Sequence, residues 1–387
     1  MPPPAGPAAA RDLNTATVLD ILRDSGPLSR ADLIRRSGLA RPTVSAIVRT
    51  LLDAAIAVEV GPDLSASAGK PGAGRPGALM AFNPRCVTAA VVRVLPAVVD
   101  VWVVDCDGAE LGGGQVDNPG DAGGCLDRIR SELERLAYAL SVPRPTSVGM
   151  LLVGRVDPST GVCTGAALGR DSLPITVLER GLAAAVSVLN PSAAAALGVA
   201  RAGSHTDALV IFLDQGIGAG LVCGGQVLLG ATGGVGELGH CRVPGEEREC
   251  RCGRRGCLET VAAGWFLRAR VAEILGSSRV PRTLAELERL GDDRVDAVLA
   301  EAAWQLGLAA CWLVNVLNPR TVLLGGTQFA AGATRFLESF AAAVVENSVA
   351  ANAEDLIIDV ASDRADIEGA VQAALDRLQI GLPARIE

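Results

Sequence analysis

One histidine and three cysteines stand at a spacing that suits a metal ion. His240 is followed by Cys250, Cys252 and Cys257, and two glycines between the last two cysteines let the chain turn tightly. Zinc favours a tetrahedral shell of this kind, with three thiolates and one imidazole. The spacing therefore predicts one structural Zn²⁺ per chain on these four residues. The alternative is three buried thiols that bind nothing, and Cys241 stays open as a further thiol beside the site.

The remaining cysteines and the N-terminus indicate the compartment. The 387 residues include ten cysteines, which form no disulfide framework in a reducing compartment. Residues 1–10 have no basic region ahead of an apolar run, and no unbroken apolar stretch approaches about 18 residues. We therefore expect a cytoplasmic protein with a disordered tail at 1–10 and no membrane partner. Six cysteines with apolar or small neighbours are expected in the core: Cys86, Cys106, Cys125, Cys163, Cys223 and Cys311.

Charge divides the chain into a basic head and an acidic body. Residues 1–85 hold ten basic and seven acidic side chains, a net charge of +3, whereas the remainder holds 25 and 36, a net charge of −11. The whole-chain value of −8 hides this division. A small basic unit attached to a larger acidic one fits a nucleic-acid-binding module joined to a domain that avoids DNA.

The head shows three helical patterns within residues 12–54. Ser29 and Asp32 resemble a capping box at the start of the second helix, and Gly38 is placed to end it. The third helix has one apolar face and one polar face, with proline in its first turn. This arrangement predicts a helix-turn-helix whose last helix reads the major groove of double-stranded operator DNA. Its candidate DNA contacts are Ser29, Arg41, Pro42, Thr43, Ser45 and Arg49.

A β-wing is expected after the third helix. Residues 55–60 can form a strand, and the Gly/Pro-rich stretch 61–77 carries Lys70 and Arg75. A basic loop between two strands can contact phosphate or the minor groove, so these two side chains complete the candidate DNA contacts. The alternative for the whole head is a three-helix unit used for protein contacts.

Beyond the head, short apolar runs alternate with helical patterns to the end of the chain. Among them, a strand is expected at Thr88–Val94 and a helix at Thr260–Leu275. Such alternation is typical of an α/β body. The longest helical pattern, Asp293–Leu317, is rather apolar. We expect it at a lobe interface or against a partner subunit.

Two segments carry a resemblance to a known family. The sequences GGVGELGH at 233–240 and CRCGRRGCLE at 250–259 are similar to the signature of the ROK family of repressors and sugar kinases, and the likeness extends over nearly the whole chain. It implies a zinc-stabilised loop at 240–257 with the four ligands named above. It also implies a winged helix-turn-helix at 11–84, with the wing signature GRP at 74–76.

The body, by the same resemblance, has the two-lobed actin-like fold of the family's sugar kinases. Lobe I is expected at 85–200 and lobe II at 201–365. A C-terminal helix, about 366–387, is expected to return to lobe I.

The resemblance further implies a sugar site. The family binds sugar hydroxyls through the Glu and His of a GExGH motif, the Glu of GCLE, and an Asn-Asp pair ahead of an Ala-rich helix. The matching residues here are Glu237, His240, Glu259 and Asn190. Carboxylates and an imidazole can hydrogen-bond to neighbouring hydroxyls. Two alternatives stay open: His240 serves only the metal, and Glu259 only caps a helix.

The kinase pattern breaks in two places. The family's Asn-Asp pair supplies the aspartate that takes the proton from the attacking hydroxyl, but Asn190 is followed by Pro191, which accepts no proton. The first phosphate loop, within 93–108, has Pro96 where family kinases have the Gly and Thr of a DxGxT turn. The second, at 214–220, keeps its glycines. We therefore predict no catalytic residues and no kinase activity.

The sequence thus predicts a ROK-type transcriptional regulator, a repressor that binds a palindromic operator as a homodimer or homotetramer. Its body would be a sensor for a sugar or sugar-phosphate effector. Two other functions stay open. One is a residual ATP-dependent sugar kinase with a DNA-binding head, and the other is a ligand-free regulator whose body only oligomerises or binds a protein.

Overall fold

A computed structural model describes residues 7–62, 78–157, 160–165, 172–203, 205–329 and 332–380. Its head consists of three helices and a small sheet with the strand order β1-β3-β2. The elements are α1 (Pro7–Ser25), β1 (Leu28–Ser29), α2 (Arg30–Ser37), α3 (Arg41–Asp53), β2 (Ala57–Pro62) and β3 (Ala78–Phe82). The capping box is confirmed, with Ser29 and Asp32 each accepting the other's backbone N–H. Gly38 ends α2 with a positive φ of 69°, which glycine adopts without strain.

Helix α1 begins earlier than expected. It starts at Pro7, so residues 7–10 belong to a helix and not to the tail expected at 1–10. Proline suits a first helical turn because its missing N–H would have no partner there, and the alanines that follow favour helix. At the other end of the head, β2 and β3 pair antiparallel on either side of the expected wing. Lys70, Arg75 and the GRP sequence lie outside the described residues.

The first sheet of the body has the strand order β11-β7-β4-β5-β6. Strands β11, β7 and β4 run parallel to one another from one edge, and β5 and β6 add antiparallel partners toward the other edge. Helices α4 and α5 cover one face. The elements in chain order are β4 (Thr88–Val94), β5 (Val98–Asp105), β6 (Glu110–Asp117), α4 (Ala122–Leu140), β7 (Ser147–Leu152), β8 (Gly154–Asp157), β9 (Val162–Gly165), β10 (Ser172–Pro174), α5 (Ile175–Leu182) and β11 (Ala185–Leu189).

The second sheet has the order β14-β13-β12-β15-β16. Its large apolar core lies between the sheet and the helices from α7 to α11. The elements are α6 (Pro191–Arg201), β12 (Ala208–Leu213), β13 (Ile217–Cys223), β14 (Gln226–Val227), α7 (Glu259–Ala262), α8 (Gly264–Leu275), α9 (Leu284–Glu288), α10 (Asp293–Leu317), β15 (Thr321–Gly325), α11 (Thr334–Asn347), α12 (Ala350–Ala353), β16 (Ile357–Val360) and α13 (Ala365–Leu375).

Two helices, α6 and α13, join the two sheets. Helix α6 packs on β12 and β13, while α13 packs on β4 and β7 of the first sheet. The two helices cross where glycines allow backbone contact. A Cβ at Gly369 would lie 1.7 Å from the carbonyl oxygen of Ala194, and one at Gly198 would lie 2.7 Å from that of Ala365. The two sheets are therefore coupled through the close contact between α6 and α13.

Helix α10 is long and apolar. By length and composition it is the one described helix that could cross a membrane. Within its most apolar stretch of 18 residues, 44% is buried inside the protein. Its inner face packs on α7, α8, α9 and α11, and its first turn carries Asp293 and Asp296. These contacts make α10 the central helix of the second core. Its last turns leave Trp312 and Val316 about three-quarters exposed.

Candidate functional site

Helix α3 separates an apolar face from a polar one. Val44, Val48 and Leu51 are fully buried in the head, whereas Arg41, at the start of the helix, and Arg49 are exposed. No ion pair or hydrogen bond connects either guanidinium to another residue in the described part of the chain. No side chain caps the N-terminus of α3, which begins after Ala40. The start of α3 therefore presents free cations and free backbone N–H groups to the outside.

The other candidate contacts of the head differ in exposure. Pro42 is exposed in the first turn, and Thr43 and Ser45 are half-buried. Ser29 does not belong with them. Its side chain is 8% exposed, and its hydroxyl lies 2.6 Å from the Asp32 carboxylate as part of the capping box. The structure thus gives Ser29 a helix-capping role, because its polar atoms are already satisfied inside the head.

The predicted metal ligands converge on one point. One donor atom from each of His240, Cys250, Cys252 and Cys257 lies within 4.8 Å of all the others. Sγ of Cys252 is 3.7 Å from Sγ of Cys257, and Sγ of Cys250 is 3.8 Å from Nδ1 of His240. Two sulfurs around a tetrahedral zinc, with bonds of about 2.3 Å, are about 3.8 Å apart. The group can therefore hold a metal ion, and Cys241, exposed beside it, is not a member.

Turn geometry and aromatic contacts position this loop. Gly253 and Gly256 have φ values of 85° and 75°, in the left-handed region that other residues rarely adopt. The guanidinium of Arg248 lies 4.4 Å from the ring centroid of Phe266, and that of Arg251 lies 4.7 Å from the ring of Trp265. Both rings belong to α8, so cation–π contacts hold the loop against the second core.

The three thiols differ in acidity. Burial raises the pKa of Cys257 to about 12 and also raises the pKa of Cys250. A hydrogen bond from the backbone N–H of Arg254 lowers the pKa of Cys252. Metal ligation requires thiolates, so binding a divalent ion must displace protons from the two buried thiols.

Two glutamates flank the group. Glu259 starts α7, and its Oε1 accepts the backbone N–H of Ile217 at 3.1 Å while its Oε2 is 4.0 Å from Sγ of Cys250. Glu237 is 59% exposed, and its Oε2 is 3.8 Å from Nε2 of His240. Glu259 therefore connects the metal group to the hairpin between β12 and β13. Glu237 keeps a carboxylate free toward solvent.

At the start of α6 the polar groups are already engaged. Oδ1 of Asn190 accepts the backbone N–H of Ala193 at 2.7 Å and the hydroxyl of Ser192 at 3.0 Å, so Asn190 is the N-cap of the helix. Pro191 occupies the first helical position. Ser192 is 7% exposed, and a Cβ on Gly218 would come within 2.7 Å of its hydroxyl. No group in this turn is placed to accept a proton from a substrate.

The β4–β5 hairpin of the first sheet and the β12–β13 hairpin of the second sheet differ. Between β4 and β5 the turn is tight, with the N–H of Leu95 donating to the carbonyl of Val98 at 2.9 Å. Pro96 lies within it and supplies no N–H for a phosphate. Between β12 and β13, the hydroxyl of Thr327 donates to Asp214 at 2.5 Å. Gly220 is needed for packing, because a Cβ there would lie 2.1 Å from the carbonyl oxygen of Ser192.

Sequence reasoning missed a buried charged group between the sheets. Arg93, at the end of β4, makes a 2.8 Å ion pair with Asp100, which also accepts a 2.6 Å hydrogen bond from Gln115. Near them Asp366, 4% exposed at the start of α13, has its pKa raised by burial, although Arg93 opposes this shift. An aspartate in the first turn of a helix gives no signal in a sequence that it will be buried.

Comparisons with known proteins agree with this architecture. The profile described as "ROK family" matches residues 124–377. The DNA-binding transcriptional dual regulator NagC of Escherichia coli K12 is 26% identical over 347 residues, covering 82% of this chain and 80% of that protein. A glucokinase of Halalkalibacterium halodurans is 30% identical over 257 residues, 61% of this chain and 76% of its own. A crystal structure of a ROK family transcriptional regulator, a homolog of the E. coli MLC protein, superposes with a TM-score of 0.68 at 25% identity over 95% of this chain and 97% of that one.

Proposed function

The chain belongs to the ROK family, and from this premise we propose that it is a DNA-binding transcriptional repressor with a catalytically inactive kinase-like body. One observation carries the proposal: α3 exposes Arg41 and Arg49, which have no partner among the described residues, while Val44, Val48 and Leu51 of the same helix are fully buried. NagC, whose match covers 82% of the chain, and the MLC homolog, whose match covers 95%, are transcriptional regulators. The repressor acts in the cytoplasm, where its operator DNA is found.

The DNA contact is built on α3. Arg41 and Arg49, with Thr43 and Ser45 beside them, face the major groove, and the free N–H groups at the helix start bind a phosphate. Lys70 and Arg75 extend the contact from the wing. Genomic footprinting with the purified protein identifies the operator. A protein that protects no specific site would overturn the proposal.

The body does not transfer phosphate. Pro191 stands where the family's catalytic aspartate belongs, and the hydroxyl of Ser192 is buried and bonded to Asn190. The retained glycines fit backbone packing, as the contact between Gly220 and Ser192 indicates. A kinase with a DNA-binding head is the second candidate, because the glucokinase of H. halodurans aligns with the body. ADP release over a panel of hexoses and amino sugars separates the two: we expect background, and turnover with any sugar would favour the kinase.

The cleft between the lobes is the effector site. Glu237 offers a largely exposed carboxylate beside the His240 imidazole, and Glu259 and Asn190 are the other two candidate residues. Their chemistry suits the hydroxyls of a sugar or sugar phosphate. An effector that prefers one arrangement of the lobes changes the position of the heads through α6 and α13. Thermal-shift titration with sugars and sugar phosphates tests this, and flat curves throughout would favour a ligand-free regulator.

One structural zinc per chain occupies the His/Cys group. The donor atoms fit its bond lengths and its preferred Cys₃His shell. Nδ1 of His240 faces the sulfurs, which leaves Nε2 toward Glu237 and the cleft. Zinc would thus fix both the loop and the imidazole that meets the effector.

A second copy of the chain covers the exposed end of α10. Trp312 and Val316 are 74% and 77% exposed, and Val349 is 60% exposed beside them, where its N–H donates to Asn315. An exposed apolar patch is costly in water and fits a self-associating face. Two heads on a palindromic operator require such a dimer or tetramer. Light scattering should show Trp312→Glu dissociating the assembly while Tyr138→Glu, at an isolated exposed site on α4, does not.

A further inference from the structure

A small cavity lies between the first sheet of the body and helix α13. Its volume is about 210 Å³, and most of its wall is apolar. Val91 and Val104 of the sheet are at most 2% exposed, and Ile367 of α13 is 5% exposed. Trp102 of β5 and Val371 of α13 complete the apolar part of the wall. The described residues around this cavity include none of those predicted for the sugar site, so the two places are distinct.

The volume of the cavity limits the size of a ligand. A dry protein cavity of about 150 Å³ holds benzene, whereas sites for drug-sized molecules measure about 300–1,000 Å³. The cavity beside α13 therefore fits one six-membered ring with a short side chain. Because the indole of Trp102 is part of the wall, an aromatic ring gains a favourable ring–ring contact there.

Three of the described charged side chains also line the cavity. They are two carboxylates, Glu110 of β6 and Glu368 of α13, and the guanidinium of Arg364. Arg364 donates to Oε2 of Glu110 at 2.7 Å. The hydroxyl of Ser362 donates to Oε1 of Glu368, also at 2.7 Å. The second oxygen of each carboxylate has no hydrogen-bond partner in the described part of the chain, so the lining carries excess negative charge and free acceptors.

The charged groups next to the cavity do not cancel this excess. The guanidinium of Arg93 lies 5.3 Å from the ring centroid of Trp102, but it is paired with Asp100 at 2.8 Å, so the two charges offset each other. An anionic ligand would have to approach the free carboxylate oxygens, whereas an ammonium group would donate hydrogen bonds to them. Charge therefore favours a cationic ligand over an anionic one.

We propose that this cavity is a binding site for a small aromatic amine, with the ring against Trp102 and the ammonium group hydrogen-bonded to Glu110 and Glu368. The side chains of the Arg364–Glu110 pair are 50% and 41% exposed. An ion pair this exposed contributes little to stability, so it can open to admit a ligand. The amine would be an effector of the body at a place other than the cleft between the lobes.

The site is connected to the second sheet through α13. Glu368 and Val371 line the cavity, and Gly369 between them packs against the backbone of Ala194 in α6. A ligand that contacts β5, β6 and α13 together holds α13 against the first sheet, at the crossing that couples the two sheets. Hydrogen exchange in α13 should therefore slow when the site is occupied.

The test uses the full-length protein and probes that share one ring but differ in charge: phenethylamine, phenethyl alcohol and phenylacetate. Calorimetric titration should give a Kd of the order of 0.1 mM for the amine, as expected of a ligand of this size. The alcohol should bind roughly tenfold more weakly because its hydrogen bonds are not charge-assisted. Phenylacetate should not bind. Hydrogen exchange in α13 should slow with the amine and stay unchanged with phenylacetate.

Two variants and a control assign the probes to this cavity. Val371→Phe adds a ring at a half-buried position of the wall and should abolish binding of the amine and the alcohol. Glu368→Gln removes one carboxylate and should weaken amine binding roughly tenfold, while the affinity for the alcohol stays within twofold. Glu134→Gln is the matched control. It lies exposed on α4, which packs on the other face of the sheet, and should leave both affinities unchanged.

Two results would overturn the proposed site: no binding of any probe, or amine binding that Val371→Phe leaves unchanged. Equal binding of the amine and phenylacetate would overturn the ligand class. If Val371→Phe does not fold, Glu368→Gln decides, because an exposed side chain changes there and equal losses for amine and alcohol would contradict an ammonium contact. These readouts need neither DNA nor a sugar, so their outcome is independent of the proposed repressor function.

Discussion

The exposed polar residues of α3 and the residues predicted for the sugar site look alike in the sequence but differ in their contacts. Arg41 and Arg49 make no contact with another charged or polar group in the described structure. Among the predicted sugar-site residues, Asn190 caps α6 and Glu259 accepts the N–H of Ile217. Exposed polar side chains without a partner inside the chain are available to bind another molecule. Side chains that already hydrogen-bond within the chain stabilise the local structure instead. The contacts therefore support a binding role for the α3 arginines more strongly than for most of the predicted sugar-site residues.

The largest expected effect comes from removing an unpartnered cation. Arg41→Ala and Arg49→Ala should each weaken operator binding by roughly tenfold, since a base or phosphate contact is worth about 1–3 kcal/mol. The melting temperature should stay unchanged because both side chains are exposed. Fluorescence anisotropy on the footprinted operator measures the affinity.

A paired arginine of the body provides the control. Arg294 is 66% exposed and bonded to Asp292 at 2.7 Å. Arg294→Ala should leave operator affinity within twofold of the wild-type protein, as expected of a side chain satisfied inside the chain. Equal losses for Arg49→Ala and Arg294→Ala would show that net charge, and not α3, governs binding.

The His/Cys group stabilises the loop inside the body. Loss of a metal ligand should therefore lower the stability of the protein and leave its DNA contacts unchanged. Cys252→Ser should reduce bound zinc from about one per chain to near zero and lower the melting temperature by roughly 5 °C, as a loss of about 2 kcal/mol would do. Cys241→Ser, one residue after His240 but outside the group, should keep both values. Metal analysis and calorimetry decide, and full zinc in Cys252→Ser would contradict the ligand assignment.

The two glutamates beside the metal group differ in the same way. Glu259→Gln should destabilise the free protein by about 1 kcal/mol, because its carboxylate holds the backbone of Ile217 near the metal group. Glu237→Gln should leave the free protein unchanged and instead reduce the thermal shift given by a sugar effector. If Glu259→Gln changes only the effector response, Glu259 is a ligand group and not a positioning residue.

The sequence predicted most elements whose signal is local. The strand at Thr88–Val94 and the helix at Asp293–Leu317 have the expected bounds, because apolar periodicity specifies them directly. The strand Glu110–Asp117 was not predicted, since its run of glycines disfavours strands. These glycines are required by side chains from elsewhere in the chain. A Cβ at Gly113 would lie 2.8 Å from the Trp102 ring, and one at Gly114 would lie 1.8 Å from Glu132.

The helix expected at Thr260–Leu275 shows the same limit. The structure interrupts it at Ala263, where the backbone is extended, and it continues from Gly264. The N–H of Gly264 donates to the carbonyl of Asp214, and a Cβ there would lie 2.4 Å from that oxygen. Approach of the hairpin after β12 overrides the helical pattern. For the site, spacing alone predicted the four converging metal ligands, but it could not show that Ser29 turns inward or that Asp366 is buried.

The smallest expected effect concerns Asp366, a carboxyl group that is 4% exposed at the start of α13. Burial raises its pKa above the ordinary 3.8, against the attraction of Arg93 and with a further push from Asp214. A raised carboxyl pKa means that the group favours folding while protonated and that this contribution is lost as pH rises through the folded value. Asp366→Asn should therefore raise the melting temperature by roughly 2 °C at pH 8, with a smaller gain at pH 4.5. The difference between the two proteins cancels other titrating groups, so calorimetry at the two pH values isolates this carboxyl. A variant less stable at pH 8 than at pH 4.5, relative to wild type, would mean that Arg93 stabilises the ionised form and that Asp366 is a satisfied ion-pair partner.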